Sequence, residues 1–202
     1  MDGLLKKEFD QHREAQTVHP IVAAAGLDLV PFQHPSMDEW RSNFKGIQVV
    51  HPETNLLLTG AVDDIWVNSA GELVVVDYKA TAKAEAMTVV PEGGFYDSYR
   101  RQLDFYQWLL RQLGFTVSTT SYWLYCTGRP GADAFNQRLE FDVHLIPYES
   151  NDSWIEGTLE QLLDDLRAEG LPDSSDSCEH CAYTEQRQLL EDSWDFDRFP
   201  RC

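Results

Sequence analysis

Four consecutive apolar residues, Leu73-Val74-Val75-Val76, run directly into Asp77-Tyr78-Lys79. Such a run reads as a buried core strand. Side-chain direction alternates along a strand, so Asp77 and Lys79 share a face with Leu73 and Val75, while Val74 and Val76 share the other. The strand can therefore anchor in a core and carry a carboxylate and an ammonium at its end. A surface ion pair is the plainest account of that ending, and the rest of the chain has to supply a better one.

Around this strand the pattern alternates between helix and strand signals. Residues 3–16 carry Leu4, Leu5 and Phe9 among polar residues, a short amphipathic helix. Ser36 with Glu39 three residues later predicts a capping box opening a helix to about residue 44. Strand-like runs follow at 46–51, 55–68 and 72–80, the last two joined by the hairpin signal Ser69-Ala70-Gly71. Gly60 marks a bend or bulge inside the middle run. A long helix is predicted over 95–113, stopped by Gly114, followed by strands at 116–127 and 138–147. An acidic amphipathic helix over 152–169 shows Trp154, Leu159, Leu162, Leu163 and Leu166 on its apolar side, ahead of a loop with Cys178 and Cys181. No repeat or linker interrupts the pattern. The expected architecture is one α/β domain over residues 1–202, with 151–202 as an acidic helical extension carrying a Cys-x2-Cys.

The charge balance narrows the function classes. The 202 residues hold 34 acidic and 16 basic side chains, for a net charge of −18. Residues 151–202 contribute −10 of this and the first 150 contribute −8. Phosphate contacts are made largely by Lys and Arg, so any nucleic-acid role must rest on a local site. No window approaches 18 uninterrupted apolar residues and the N-terminus lacks a signal-peptide core, so no membrane is expected and a cytoplasmic location follows by default. Four Cys, three of them after position 177, do not resemble a secreted disulfide framework.

Upstream of Asp77, Gly60-Ala61-Val62-Asp63-Asp64 places Asp63 on the strand paired with the one that ends at Asp77. Two carboxylates at neighbouring strand positions repel unless a cation lies between them, and Mg²⁺ needs only one or two protein carboxylates. Asp64 points to the opposite face and reads as an ion-pair partner. A Lys two residues after such an Asp is placed to contact a metal-bound water or a phosphate oxygen. Downstream, Gln102 and Tyr106 lie one helical turn apart, with Arg100 and Arg101 beside them as candidate phosphate contacts and Lys83 as a further surface cation.

The order GxxD (Gly60 to Asp63), DxK (Asp77 to Lys79) and QxxxY (Gln102 to Tyr106) resembles the PD-(D/E)XK nuclease superfamily, most closely its RecB-type and CRISPR-adaptation exonucleases. The similarity spans roughly residues 55–126. It implies a restriction-endonuclease-like α/β core, a mixed central β-sheet flanked by helices. It implies Mg²⁺ or Mn²⁺ held by Asp63, Asp77 and the Tyr78 backbone carbonyl, with Lys79 as the catalytic lysine. Gln102 and Tyr106 would position Lys79 or the scissile strand. The implied reaction is hydrolysis of DNA phosphodiester bonds.

Two departures from that pattern matter. Relatives of this branch carry a further metal-ligating His on an N-terminal helix; His12, His19 and Glu8 are the candidates, and each also reads as a solvated polar residue. The branch often carries a four-Cys iron–sulfur cluster, yet no Cys precedes Cys126. Cys178 and Cys181 alone are half a zinc site, which His180, Cys126 or Cys202 would have to complete. The reading taken is a remnant of ordinary thiols, without Zn²⁺ or a cluster. The competing functions are a catalytically weak nuclease-fold module whose acidic C-terminal region docks a basic protein, and a metal-dependent hydrolase of small nucleotides. The intact set Asp63, Asp77, Lys79, Gln102 and Tyr106 favours chemistry on nucleic acid.

Overall fold

The apolar run opens the central strand of a five-stranded mixed sheet. The computed structural model of the chain describes residues 1–131, 134, 136–170 and 173–193, the side chain of Ser193 excepted. In chain order the elements are α1 (Asp2–Ala15), α2 (Pro20–Ala24), β1 (Leu29–Pro31), α3 (Met37–Trp40), β2 (Ile47–Val50), β3 (Leu57–Gly60), β4 (Asp64–Asn68), β5 (Leu73–Ala82), α4 (Tyr96–Gln112), β6 (Thr120–Gly128), β7 (Phe141–Glu149), α5 (Ile155–Arg167) and α6 (Glu179–Ser193). The main sheet has the order β1-β4-β5-β6-β7, and β2 pairs with β3 in a separate two-stranded sheet. Only β5 and β6 run parallel; the other pairs are antiparallel. The crossover between the parallel strands is α4, as parallel pairing requires. This mixed sheet between helices agrees with a restriction-endonuclease-like fold.

Residues 73–76 of β5 are all buried, Val75 and Val76 completely, because helices cover both faces of the sheet. Leu73, Val75 and Ile65 join a core with Leu103, Tyr106, Leu109 and Leu110 of α4. Val74, Val76, Tyr78 and Trp66 join a second core with Leu5 and Phe9 of α1. Burying each such aliphatic side chain stabilises the fold by about 1.5–3 kcal/mol. Leu4, expected on the apolar side of α1, is instead 70% exposed; Leu5 and Phe9 carry that contact.

The expected strand over 55–68 is two strands in different sheets. β3 ends at Gly60 and β4 begins at Asp64, so the chain leaves one sheet and enters the other across Ala61-Val62-Asp63. The Ser36–Glu39 capping box does not form. Ser36 makes no side-chain cap hydrogen bond, α3 ends at Trp40, and Glu39 pairs with Lys45 at 3.1 Å. The predicted hairpin is present, with Gly71 at φ +82° and the Asn68 side chain accepting from Ala70 and Glu72 N–H groups.

Backbone contacts divide the chain into two units, Met1–Leu159 and Glu160–Cys202. The first holds both cores and the first turn of α5, where Ile155 and Leu159 are buried. In the second, Leu162 and Leu166 are 42% and 64% exposed and Leu163 is half-buried, so the apolar stripe expected along the 152–169 helix is fully buried only at its start. The loop expected at Cys178 and Cys181 is the entry to α6, with Cys181 in its first turn.

Candidate active site

Where β5 outruns β4, its polar end meets the segment between the two sheets. The β4–β5 register closes at Asp64 opposite Val76, so Asp63 lies just beyond the strand end, alongside Asp77 and Tyr78. The Tyr78 N–H donates to Asp63 Oδ2 at 2.9 Å, a bond that replaces the missing ladder partner and fixes the carboxylate beside β5. Asp63 is half-buried, whereas Asp77 is 1% exposed.

Asp77 is held in an environment that disfavours its charge. Burial pushes its carboxyl up, the Lys79 ammonium pulls it down, and Asp63 pushes it up again, leaving it at about 6. Lys79 Nζ lies 2.6 Å from Asp77 Oδ2, an ion-pair contact off the line of a hydrogen bond. That buried oxygen therefore has no directed donor.

From Lys79 a hydrogen-bonded chain runs along α4. Lys79 Nζ donates to Gln102 Oε1 at 3.0 Å, and Gln102 Nε2 donates to the Tyr106 hydroxyl at 2.8 Å. The polarity is forced: an ammonium has only donors, so the amide oxygen turns to it and the amide nitrogen to the phenol. Tyr106 accepts from Gln102 and keeps its own hydrogen to donate. Burial, with the charges of Asp77 and Asp63, pushes its phenol up to about 12, the Gln102 bond opposing. The Lys79 ammonium also sits 4.3 Å from the centre of the Tyr99 ring, a cation–π contact.

Helix α4 comes close enough for this chain because of Gly60. A Cβ at that position would lie 2.9 Å from both Tyr106 Cε1 and Leu109 Cδ1, inside contact distance. The three motifs thus meet: the glycine seats the helix, the helix carries Gln102 and Tyr106, and these hold Lys79.

A fourth contributor is absent from the sequence motifs. Lys6 of α1 reaches Asp63 Oδ1 at 3.1 Å and Asp2 Oδ2 at 3.2 Å, with 20% of its side chain exposed. Its one foreshadowing is the N-terminal helix position at which a further ligand was expected. The histidines considered for that role are engaged elsewhere. His19 is buried against Phe9, ring centres 4.1 Å apart, accepts the Ile21 N–H at 3.1 Å through Nδ1 and meets Glu8 Oε1 at 3.1 Å through Nε2. His12 Nδ1 pairs with Thr17 Oγ1 at 2.9 Å. Neither is brought to the carboxylate pair by any of these contacts.

On the opposite face, Asp64 is fully buried and fully engaged. It pairs with Arg13 and accepts from the Tyr78 hydroxyl at 2.7 Å, Trp66 Nε1 at 3.1 Å and its own neighbour's Ile65 N–H at 2.8 Å. Arg100, placed beside Gln102 as a phosphate contact, donates instead to the Val90 and Pro91 carbonyls at 3.0 and 2.7 Å and pairs with Asp97 at 3.2 Å. It ties the β5–α4 loop to the helix.

The cysteines stand apart from this centre. Cys126 is buried in the α1-side core, and burial pushes its thiol up to about 11. The Cys181 N–H donates to Cys178 Sγ at 3.4 Å, which lowers the Cys178 thiol. Cys202 lies outside the described residues. Among the described residues no group of three or more His, Cys, Asp or Glu side chains is assembled to hold a metal, and no helix is long and apolar enough to cross a membrane.

A family model described as the PD-(D/E)XK nuclease superfamily matches residues 2–186. No curated protein and no solved structure shows a significant match to the chain.

Proposed function

Because the chain belongs to the PD-(D/E)XK nuclease superfamily, whose members are mostly nucleases, we propose that it hydrolyses DNA phosphodiester bonds with Mg²⁺ or Mn²⁺, in the manner of the RecB-like exonucleases. The observation that carries the reading is the unbroken chain from Tyr106 through Gln102 to Lys79 and Asp77. A purely structural lysine at a strand end has no need of an amide and a phenol to aim it.

The residues present fit a divalent cation. Asp77 Oδ2 is a buried oxygen with no directed donor, and Asp63 and Asp77 repel each other. Asp63 and Asp77 would hold the ion. The Tyr78 carbonyl points to the same strand edge as the Tyr78 N–H that binds Asp63, so it faces the same place. When bound, the cation polarises the phosphoryl group and lowers the pKa of water. The protein's own groups do the rest. Lys79, pinned by Gln102, offers its remaining donors to the phosphoryl oxygens as charge develops there. Tyr106 stays protonated across the physiological range, so its hydrogen remains a donor to substrate or water. A cytoplasmic location accompanies this reading.

End-labelled single-stranded DNA, duplex DNA with free ends and closed circles, each incubated with Mg²⁺ or Mn²⁺, test it. The expected result is metal-dependent digestion of the end-bearing substrates and survival of the circles. Wild-type protein that cleaves no DNA or RNA with either metal overturns it. The second reading, a partner module without efficient chemistry, is favoured by the −18 charge and by the exposed Glu160, Asp164, Asp165 and Glu169, which suit a basic protein. It takes over in that case.

A further inference from the structure

Beside Lys79 lies an aromatic cluster that hydrolysis does not use. Phe95, immediately ahead of α4, is 70% exposed. Its ring meets Tyr99 at 5.1 Å and 71°, and Tyr96 at 6.1 Å and 70°. Tyr96 and Tyr99 meet each other at 5.9 Å and 83°. Both tyrosines pack on the α4-side core, so they are anchored, while Phe95 is free to present ring surface to solvent. Two ammonium groups flank them. Lys79 lies over the Tyr99 ring, and Lys83 donates to the Tyr96 hydroxyl at 3.3 Å. Lys83 follows the end of β5 directly, four residues after Lys79.

An exposed ring on rigid aromatic supports, bordered by cations, is how single-strand-binding surfaces are made: bases stack while cations follow the backbone. Duplex DNA buries its base faces in its own stack, so only an unpaired base can use such a ring. The overall charge points the same way. A protein at −18 cannot draw much affinity from phosphate contacts, whereas stacking needs no positive charge.

We infer that Phe95, supported by Tyr96 and Tyr99, is a stacking subsite for an unpaired base of the strand whose phosphate lies at Lys79, with Lys83 on a neighbouring phosphate. The inference rests on the nuclease reading for what occupies Lys79, but the stacking itself is measurable without cleavage.

The full-length protein is titrated, in chelator so that nothing is cut, into a single-stranded oligonucleotide carrying 2-aminopurine, and into a duplex of the same sequence. Wild type quenches the single-strand fluorescence on binding. Phe95→Leu, which keeps an apolar side chain but no ring, binds the single strand about tenfold more weakly and loses the quench. Phe95→Trp restores both, and the duplex affinity is the same for all three proteins. Matching circular dichroism and melting temperatures show that the variants fold. Equal single-strand affinity and equal quenching by wild type and Phe95→Leu overturn the inference, as does wild type that binds no single strand. If Phe95-dependent quenching is present while the metal-loaded wild type cleaves nothing, the stacking subsite stands and the nuclease reading falls.

Discussion

Asp63 and Asp64 are consecutive in the chain, yet their carboxylates serve opposite faces of the sheet. Asp64 sits at full burial with Arg13, the Tyr78 hydroxyl, the Trp66 indole and a backbone N–H around it. Asp63 is half-buried, with one backbone N–H and the Lys6 ammonium, which it shares with Asp2. The next strand repeats the division: Tyr78 points into the Asp64 network, and Asp77 points to the Asp63 side with an oxygen lacking a directed donor. One face is satisfied and closed, and the other is held short of satisfaction. A strand's two-residue period thus lets adjacent residues divide structural and chemical work, with the satisfied face anchoring the unsatisfied one.

The sharpest way to break that comparison is to exchange the fates of the two aspartates. Asp64→Ala strands the buried Arg13 and should cost about 3–5 kcal/mol of stability in urea unfolding. Asp63→Asn should cost less than about 1 kcal/mol while abolishing metal-dependent cleavage. Comparable stability losses at both positions would mean that the two faces are not divided as described. Next in size, Lys79→Ala should lower kcat by about 10²–10³-fold in a cleavage assay, with the fold retained in circular dichroism.

A smaller effect is expected with pH. Asp77 is raised from 3.8 to about 6, so between those values the folded protein holds a proton that the unfolded chain releases. Asp77's own contribution to the stability of metal-free protein should therefore be fully present at acid pH and be lost as pH rises through about 4 to 6, by on the order of 3 kcal/mol. Asp77→Asn should flatten that slope in pH-dependent denaturation, and so should excess Mg²⁺, which favours the ionised carboxylate. Smallest of all, Lys6→Met should raise Mn²⁺ affinity about fivefold in calorimetry, because the ion no longer displaces a part-exposed ion pair from Asp63. Weaker binding in that variant would instead make Lys6 a supporting member of the site.

The local signals translated well. The run at 73–76, the alternation of Asp77 and Lys79 against Tyr78, the helix carrying Gln102 and Tyr106 and the hairpin at Gly71 depend on neighbours within a few residues, and the structure has them all. What escaped is non-local. Lys6 lies 57 residues from Asp63, on a helix whose polar residues all look solvated from sequence. Arg13 finds Asp64 across 51 residues in the same way. The passage of 61–63 between two sheets was visible only as a glycine, since continuity of apolar residues cannot report that strands change partners. The Ser36–Glu39 pattern failed because the Ser36 N–H that Glu39 would accept from donates to His34 Nδ1 at 3.1 Å.

Gly60 has a consequence that reaches beyond its own strand. A single added methyl group would press on Tyr106 and Leu109 at once, and the helix could relieve it only by backing away from β3. Tyr106 is linked through Gln102 to the ammonium of Lys79, so the retreat would slacken the lysine's aim from nineteen residues away. The glycine acts as a shim of zero thickness. It sets the tolerance with which α4 seats against β3, and a protein altered only there should fold and still lose the alignment of Lys79.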